Sequence, residues 1–144
     1  MTSQTVNQEI KLSKMINPHF KGVWNTKRPY RVLRGGRGSF KSSTVSLKLV
    51  LKMKRHAKLN QKVNVICLRE NTAYLRDSVY SQIGWAIDML GASDEFNFNV
   101  SPMKITHIRT GSTFYFYGGD DPMKLKSNIV GNVIAVWFNN WVTR

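Results

Sequence analysis

A lysine and two serines follow a glycine-rich stretch, and these residue types at this spacing are suited to binding phosphate groups. Residues 34–43 read R-G-G-R-G-S-F-K-S-S. Glycines let the backbone turn closely around an anion, and successive N–H groups then point at it as donors. In this pattern the lysine neutralises the β- and γ-phosphates and the next hydroxyl binds Mg²⁺, which predicts those roles for Lys41 and Ser42. The predicted phosphate-binding residues are Gly35, Gly36, Arg37, Gly38, Ser39, Phe40, Lys41, Ser42 and Ser43.

The stretch departs at one position from the full phosphate-loop pattern, G-x-x-x-x-G-K-[ST]. Phe40 stands where the second glycine belongs and adds a ring there. A basic, glycine-rich surface turn capped by serines is the alternative interpretation. The flanking elements favour the phosphate loop, because a β-type run, Tyr30 to Leu33, precedes it and a helical run, Thr44 to His56, follows it.

Basic residues are concentrated in the first part of the chain. The 144 residues suit one domain and carry a net charge of +14. Residues 1–62 hold 15 of the 22 Lys and Arg residues and a single acidic residue, Glu9. This asymmetry favours a polyanionic partner, either nucleic acid, nucleotide or both. Charge alone is equally compatible with a basic surface that serves solubility, and it does not distinguish DNA from RNA.

Composition limits the cellular compartment that we expect for the chain and the kinds of site that its histidines and cysteine can form. No apolar run is long enough to span a bilayer, and residues 1–10 lack the apolar segment of a signal peptide. Cys67 is the only cysteine and lies in an apolar run, so we expect a reduced core residue and a cytoplasmic protein. Metal or catalytic roles are not expected for His19, His56 or His107, because no cluster of ligand types surrounds them in the sequence.

Apolar spacing after the loop predicts alternating helices and strands. Val63 to Leu68 reads as a strand. A second helix should follow, capped by residues 69–72 and ended by Gly91. Its apolar residues recur every four positions, which predicts one buried face, formed by Leu75, Val79, Ile83 and Ile87.

A hairpin is predicted in the second half of the chain. Phe96 to Val100 forms a short strand, and residues 104–109 and 112–117 flank a turn at Thr110-Gly111. The aromatic run 114–117 suits base stacking or a buried strand with aromatic cross-strand pairs, and we favour the buried strand. In the following turn, Asp120 and Asp121 either contact a metal ion or cap a turn, and adjacent acids before proline favour the cap.

The continuous apolar run from Val133 to Phe138 predicts a strand buried on both faces of a parallel sheet. In a phosphate-loop ATPase such a strand ends in an acid that holds Mg²⁺, followed by a glutamate that activates water. Here Asn139 and Asn140 occupy these positions. An amide donates and accepts hydrogen bonds but takes no proton from water, so it is no general base.

Three stretches together resemble the large terminase subunit of tailed phages, in particular its PBSX-type group. Residues 35–43 are similar to the family's phosphate loop, which usually has a glycine at the position of Phe40. Residues 75–80, L-R-D-S-V-Y, resemble the helix after the second strand. Residues 117–127, Y-G-G-D-D-P-M-K-L-K-S, resemble a stretch just before the second nucleotide motif. The resemblance runs from about Ile10 to Phe138.

The resemblance implies an α/β fold: a partial RecA-like (ASCE) P-loop NTPase domain with a parallel sheet core and an inserted β-hairpin. Residues 1–28 would be a leader segment, and residues 29–144 an incomplete P-loop ATPase domain without the nuclease domain. Large terminases use ATP to drive double-stranded DNA into a procapsid in the host cytoplasm, together with a small subunit and a portal ring. ATP and Mg²⁺ are the implied cofactors, and Arg37 would lie near the γ-phosphate. The candidates for nucleic-acid contacts are Arg69, Arg76, Lys124 and Lys126, although Arg69 and Arg76 are equally able to pair with Glu70 and Asp77.

Two departures from the family shape the expected function. Because Asn139 and Asn140 replace acids, we expect ATP binding with little or no hydrolysis. The missing later segments suggest a truncated or interrupted gene product, with deliberate asparagine substitution as the alternative. An incomplete sheet would expose a strand edge and favour self-association. The alternative functions are a non-enzymatic basic DNA-binding remnant and a helicase or recombinase of the same ATPase class.

Overall fold

The computed structural model describes residues 41–120 and 131–139. The leader segment, the predicted first strand at 30–33, residues 35–40 of the predicted phosphate loop, and residues 121–130 and 140 lie outside the described residues. The predictions for Arg37, Phe40, Asp121, Lys124 and Lys126 therefore lie outside them as well.

A five-stranded mixed sheet forms the centre of the described fold. Its strands are β1 (Asn64–Arg69), β2 (Phe96–Val100), β3 (Met103–His107), β4 (Thr113–Gly118) and β5 (Val133–Asn139), in the spatial order β2-β3-β4-β1-β5. Strands β4, β1 and β5 are parallel, whereas β3 runs antiparallel to β2 and β4. The fold is therefore α/β, with parallel strands on one side of the sheet and hairpins on the other.

The predicted hairpin around Thr110-Gly111 is confirmed. Strands β3 and β4 pair antiparallel from Lys104–Tyr115 to Thr106–Thr113. Gly111 has φ of 75°, a conformation that residues with a Cβ rarely adopt. The turn closes through His107, whose N–H donates to the Ser112 carbonyl at 2.7 Å. The buried His107 ring packs edge-on against Phe96, and its Nδ1 lies 2.8 Å from the Thr110 hydroxyl.

Helix α1 (Lys41–Lys58) is confirmed and is longer than the predicted run. It buries an apolar face that includes Leu47, Val50 and Met53. Its last turn carries Arg55, His56 and Lys58, where cations complement the negative end of the helix dipole.

The predicted second helix is a composite of three segments. A 3₁₀ turn (Thr72–Tyr74) and one turn of π-helix (Arg76–Tyr80) precede helix α2 (Ser81–Met89). Serine hydroxyls take up carbonyls in this region, because Ser78 Oγ donates to Tyr74 O and Ser81 Oγ donates to Arg76 O, each at 2.5 Å. Such side-chain bonds compete with the regular helical ladder, which explains why an unbroken helix was the wrong prediction.

The apolar stripe of this composite segment is nevertheless buried as predicted. Leu75, Val79, Ile83 and Ile87 all belong to the core, and Gly91 follows helix α2 with φ of 66°. The change of helix type preserves the buried face because the core side chains still project toward the sheet.

One face of the sheet and the two helices enclose the core. Val65 and Cys67 of β1, Phe114 and Phe116 of β4, and Trp137 of β5 pack with the apolar faces of α1 and α2. Burying one such large side chain contributes roughly 1.5–3 kcal/mol, so this layer accounts for much of the stability. Cys67 is fully buried, as predicted, and its burial raises the pKa of the thiol.

Strand β5 is parallel, as predicted, but it is not buried on both faces. Trp137 is 9% exposed, whereas Val136 and Phe138, on the opposite face, are 47% and 57% exposed. Within residues 41–120 and 131–139, β5 pairs only with β1, and the described helices cover the Trp137 face. The prediction of two-sided burial was therefore wrong. Self-association stays a prediction.

Among the helices of the described ranges, none is both long and apolar enough to cross a lipid bilayer.

Candidate functional site

The parallel strands end together at one edge of the sheet. Arg69, the last residue of β1, is in register with Gly118 of β4 and Asn139 of β5. Backbone carbonyls and the residues that follow the strands gather at this edge. In open α/β sheets, ligands bind in the crevice outside the carboxyl ends of the strands.

The first turn of α1 lies against this same edge. Asn139 Nδ2 donates a hydrogen bond to Ser42 Oγ at 3.2 Å, although the two residues are 97 positions apart in sequence. Asn139 is 6% exposed, so its amide is held in place by its surroundings. The contact joins two groups that the sequence had singled out separately: the hydroxyl after the predicted phosphate-binding lysine, and the asparagine after the last strand.

A second amide reaches the same helical turn. Gln82, near the start of α2, directs Nε2 toward Ser43 Oγ at 3.5 Å and Ser46 Oγ at 3.4 Å. Ser46 Oγ in turn donates to the Ser43 carbonyl at 2.9 Å. Sequence reasoning missed Gln82, because it belongs to no motif and only the packing of α2 on α1 brings it to the serines.

The first turn of α1 carries one cation and lies beside several hydrogen-bond donors. Helix N-termini present unpaired N–H groups and the positive end of the helix dipole. Lys41 lies on the same turn, and the amides of Asn139 and Gln82 add further donors. Of the predicted phosphate-binding residues, the structure places Lys41, Ser42 and Ser43 at the strand edge. Gly35 to Phe40 lie outside the described residues.

The described contact of Ser42 is with an amide rather than a carboxylate. Mg²⁺ is usually bound through one or two carboxylates together with substrate phosphates. In this contact Asn139 Nδ2 is the donor, and the carbonyl oxygen of the same amide is neutral, so it attracts a cation less than a carboxylate would. Within the part of the chain that the structure describes, no three His, Cys, Asp or Glu side chains lie close enough to share one metal ion.

The turn after β4 is tied to the segment after β1. Asp120 Oδ1 accepts hydrogen bonds from the Thr72 N–H at 3.0 Å and from the Thr72 hydroxyl. The hydroxyl bond is the main reason that the pKa of Asp120 lies below its usual value. Gly119 N–H also donates to the Arg69 carbonyl at 2.8 Å. Asp120 therefore ties the turn after β4 to the 3₁₀ segment whose N-cap is Asn71. The predicted cap of the turn at Asp120-Asp121-Pro122 extends outside the described residues and stays a prediction.

Gly118 allows this close approach. A Cβ added there would lie 2.0 Å from Thr72 Oγ1 and 2.5 Å from the Thr72 nitrogen. Any side chain would therefore push the two segments apart at the strand edge.

The two described arginine candidates differ in their surroundings. The Arg69 guanidinium lies over the Tyr74 ring, 5.8 Å from its centroid, at the same edge as Asn139. Arg76 is exposed, and its charge acts to lower the pKa of Tyr80, although burial has the larger, opposite effect.

The aromatic run of β4 divides between the two faces of the sheet. Phe114 and Phe116 are buried in the core, where Phe116 packs edge-on against Tyr80. Tyr115 and Tyr117 lie on the other face as a stacked pair, with ring centroids 6.3 Å apart. The phenylalanines are thus core residues, in agreement with the buried-strand prediction.

The matching family model and the two relatives described here belong to the same protein family. Residues 27–142 match the model of the phage terminase large subunit family. The chain is 33% identical over 124 residues to the terminase large subunit of Bacillus phage SPP1, covering 83% of this chain and 28% of that protein. It is 37% identical over 125 residues to the PBSX phage terminase large subunit of Bacillus subtilis strain 168, covering 86% of this chain and 27% of that protein. The chain thus spans little more than a quarter of these relatives.

Proposed function

Because the chain belongs to the phage terminase large subunit family, we propose that it is the ATP-binding part of a DNA-packaging motor and hydrolyses little or no ATP. The observation that carries this proposal is the contact between Ser42 and Asn139. It brings a residue of the predicted phosphate loop into contact with the residue after the predicted second nucleotide strand.

The proposed architecture is a RecA-like P-loop domain. It is supported by the parallel strands β4, β1 and β5, by their common carboxyl edge, and by the position of the first turn of α1 at that edge. In this arrangement Lys41 and the helical N–H groups hold the β- and γ-phosphates.

Hydrolysis requires a group that accepts or orients the proton of the attacking water. Asn140 stands at the predicted position of this group. An amide takes no proton from water, and losing a general base typically costs about 10²–10⁴ in rate. A phosphate-release assay should therefore detect little turnover. Turnover that disappears in Lys41→Ala would overturn this part of the proposal.

Double-stranded DNA, a small terminase subunit and a portal ring are the proposed partners, since they follow from the family. Arg69 and Arg76, both near the strand edge or the segment after it, are the described candidates for contacts with DNA.

Nucleotide binding is tested by titration calorimetry with ATP. Lys41→Ala should weaken binding about tenfold or more, because a charge-assisted hydrogen bond is lost. Lys58→Ala removes the same charge from the opposite end of the same helix and serves as the matched control. Absence of ATP binding, or equal losses in the two variants, would overturn the proposal.

A non-enzymatic DNA-binding remnant is the second candidate. The concentration of 15 Lys and Arg residues in residues 1–62 favours it. It predicts duplex affinity that falls steeply with salt and survives Lys41→Ala, whereas the ATP-binding function predicts that Lys41→Ala weakens nucleotide binding.

A further inference from the structure

We propose that this chain binds the nucleotide's phosphates without a divalent cation, and that Asn139 is the residue that sets this preference. The inference rests on the proposed ATP site. It goes further in naming the form of the ligand: the metal-free nucleotide rather than its magnesium complex.

The direction of the hydrogen bond at Ser42 carries the inference. Asn139 Nδ2 donates to Ser42 Oγ at 3.2 Å, so the hydroxyl oxygen uses a lone pair to accept that proton. A carboxylate at the same position would act in the opposite sense: it would accept the hydroxyl proton and leave the oxygen lone pairs for a cation. It would also supply a full negative charge, which a neutral amide lacks.

The other groups at this turn are also hydrogen-bond donors or positive charges. Gln82 Nε2 points a second amide donor at Ser43 and Ser46, and Lys41 contributes a cation on the same turn of α1. The helix N-terminus adds a partial positive charge. A site composed of donors and cations stabilises anions, and the metal-free nucleotide is more negative than its magnesium complex. Magnesium would therefore lower the attraction, because among the described residues no carboxylate contacts Ser42 to compensate.

The test compares ATP binding by titration calorimetry in excess EDTA and in excess Mg²⁺. The chain itself should bind ATP at least as tightly in EDTA as in Mg²⁺. Asn139→Asp should reverse this order. Its carboxylate repels the bare phosphates and should weaken binding in EDTA about tenfold or more, whereas Mg²⁺ should restore the affinity. Asn139→Ala removes the donor without adding charge, so it should narrow the difference between the two conditions without reversing it.

Spectroscopy of bound Mn²⁺ gives a second readout that does not depend on turnover. With ATP present, Asn139→Asp should immobilise Mn²⁺ on the protein, and the unmodified chain should not. Binding by the unmodified chain that requires Mg²⁺ would overturn this inference while leaving the proposed ATP site intact. Failure to bind ATP in either condition would overturn both. The unmodified chain alone decides between these outcomes, so the result does not depend on the folding of a variant.

Discussion

At the scale of single residues, the strand edge depends on close contacts between segments that are distant in sequence. Asp120 accepts a hydrogen bond from Thr72, Gly119 donates one to Arg69, and Asn139 donates one to Ser42. Each contact joins a residue at or just after the end of a parallel strand to another segment. The edge is therefore a set of cross-connections in which small substitutions have large effects.

Gly118→Ala should destabilise the protein by about 1–3 kcal/mol, since the added methyl overlaps the backbone and hydroxyl of Thr72. The free energy of unfolding, measured with urea, tests this. Gly131→Ala is the matched control, because nothing lies within 4 Å of an added Cβ at that glycine. Equal stabilities of the two variants would contradict the contact between Gly118 and Thr72.

The sequence singled out Ser42 and Asn139 but not their contact, because each was recognised from its own local pattern. Gln82 was missed altogether, since its approach to Ser43 depends on how α2 packs on α1. The residues of the candidate site were thus partly predictable, while their geometry depends on tertiary packing.

At the scale of elements, alternating apolar patterns predicted the described strands and helices well. Two structural features were not predicted from the sequence. Serine hydroxyls at positions 78 and 81 convert a predicted continuous helix into 3₁₀, π and α segments. The uniform apolar composition of β5 also carries no information about which face is covered, and the helices in the described part of the chain cover only the Trp137 face.

Substitutions at Trp137 and Phe138, which are neighbours on opposite faces of β5, test whether only one face of this strand is covered. Trp137→Ala should cost about 3–5 kcal/mol of unfolding free energy, because it empties a core position. Phe138→Ala should cost less than about 1 kcal/mol, since its side chain is 57% exposed. Urea unfolding of both variants provides the comparison. A loss at Phe138 as large as that at Trp137 would mean that the second face is also covered.

At the scale of the whole molecule, α1 separates two charged regions. Its 18 residues span about 27 Å, with Ser42 near one end and the exposed cations Arg55 and Lys58 near the other. The spatial order of the strands was not predictable from sequence, because local patterns do not specify which strands pair. The separation along the helix allows nucleotide and DNA contacts to be tested independently.

The double variant Arg55→Gln/Lys58→Gln should weaken duplex DNA binding and reduce its salt dependence, because two cations that release counterions are removed. Its ATP affinity should stay unchanged, because the substitutions lie about 20–24 Å along the helix from Ser42. Fluorescence anisotropy with labelled duplex, measured from about 50 to 200 mM salt, tests the first part. Unchanged DNA affinity would exclude this end of α1 as a DNA contact.

The 97-residue separation of Ser42 and Asn139 has a consequence for biosynthesis. While the chain is emerging from the ribosome, α1 and the first four strands are made long before position 139 appears. The hydrogen bond between Asn139 and Ser42 therefore forms only after β5, the final described strand, has paired with β1. The contact between Ser42 and Asn139 therefore forms late, and its formation depends on the slow closure of a long loop rather than on local propensity.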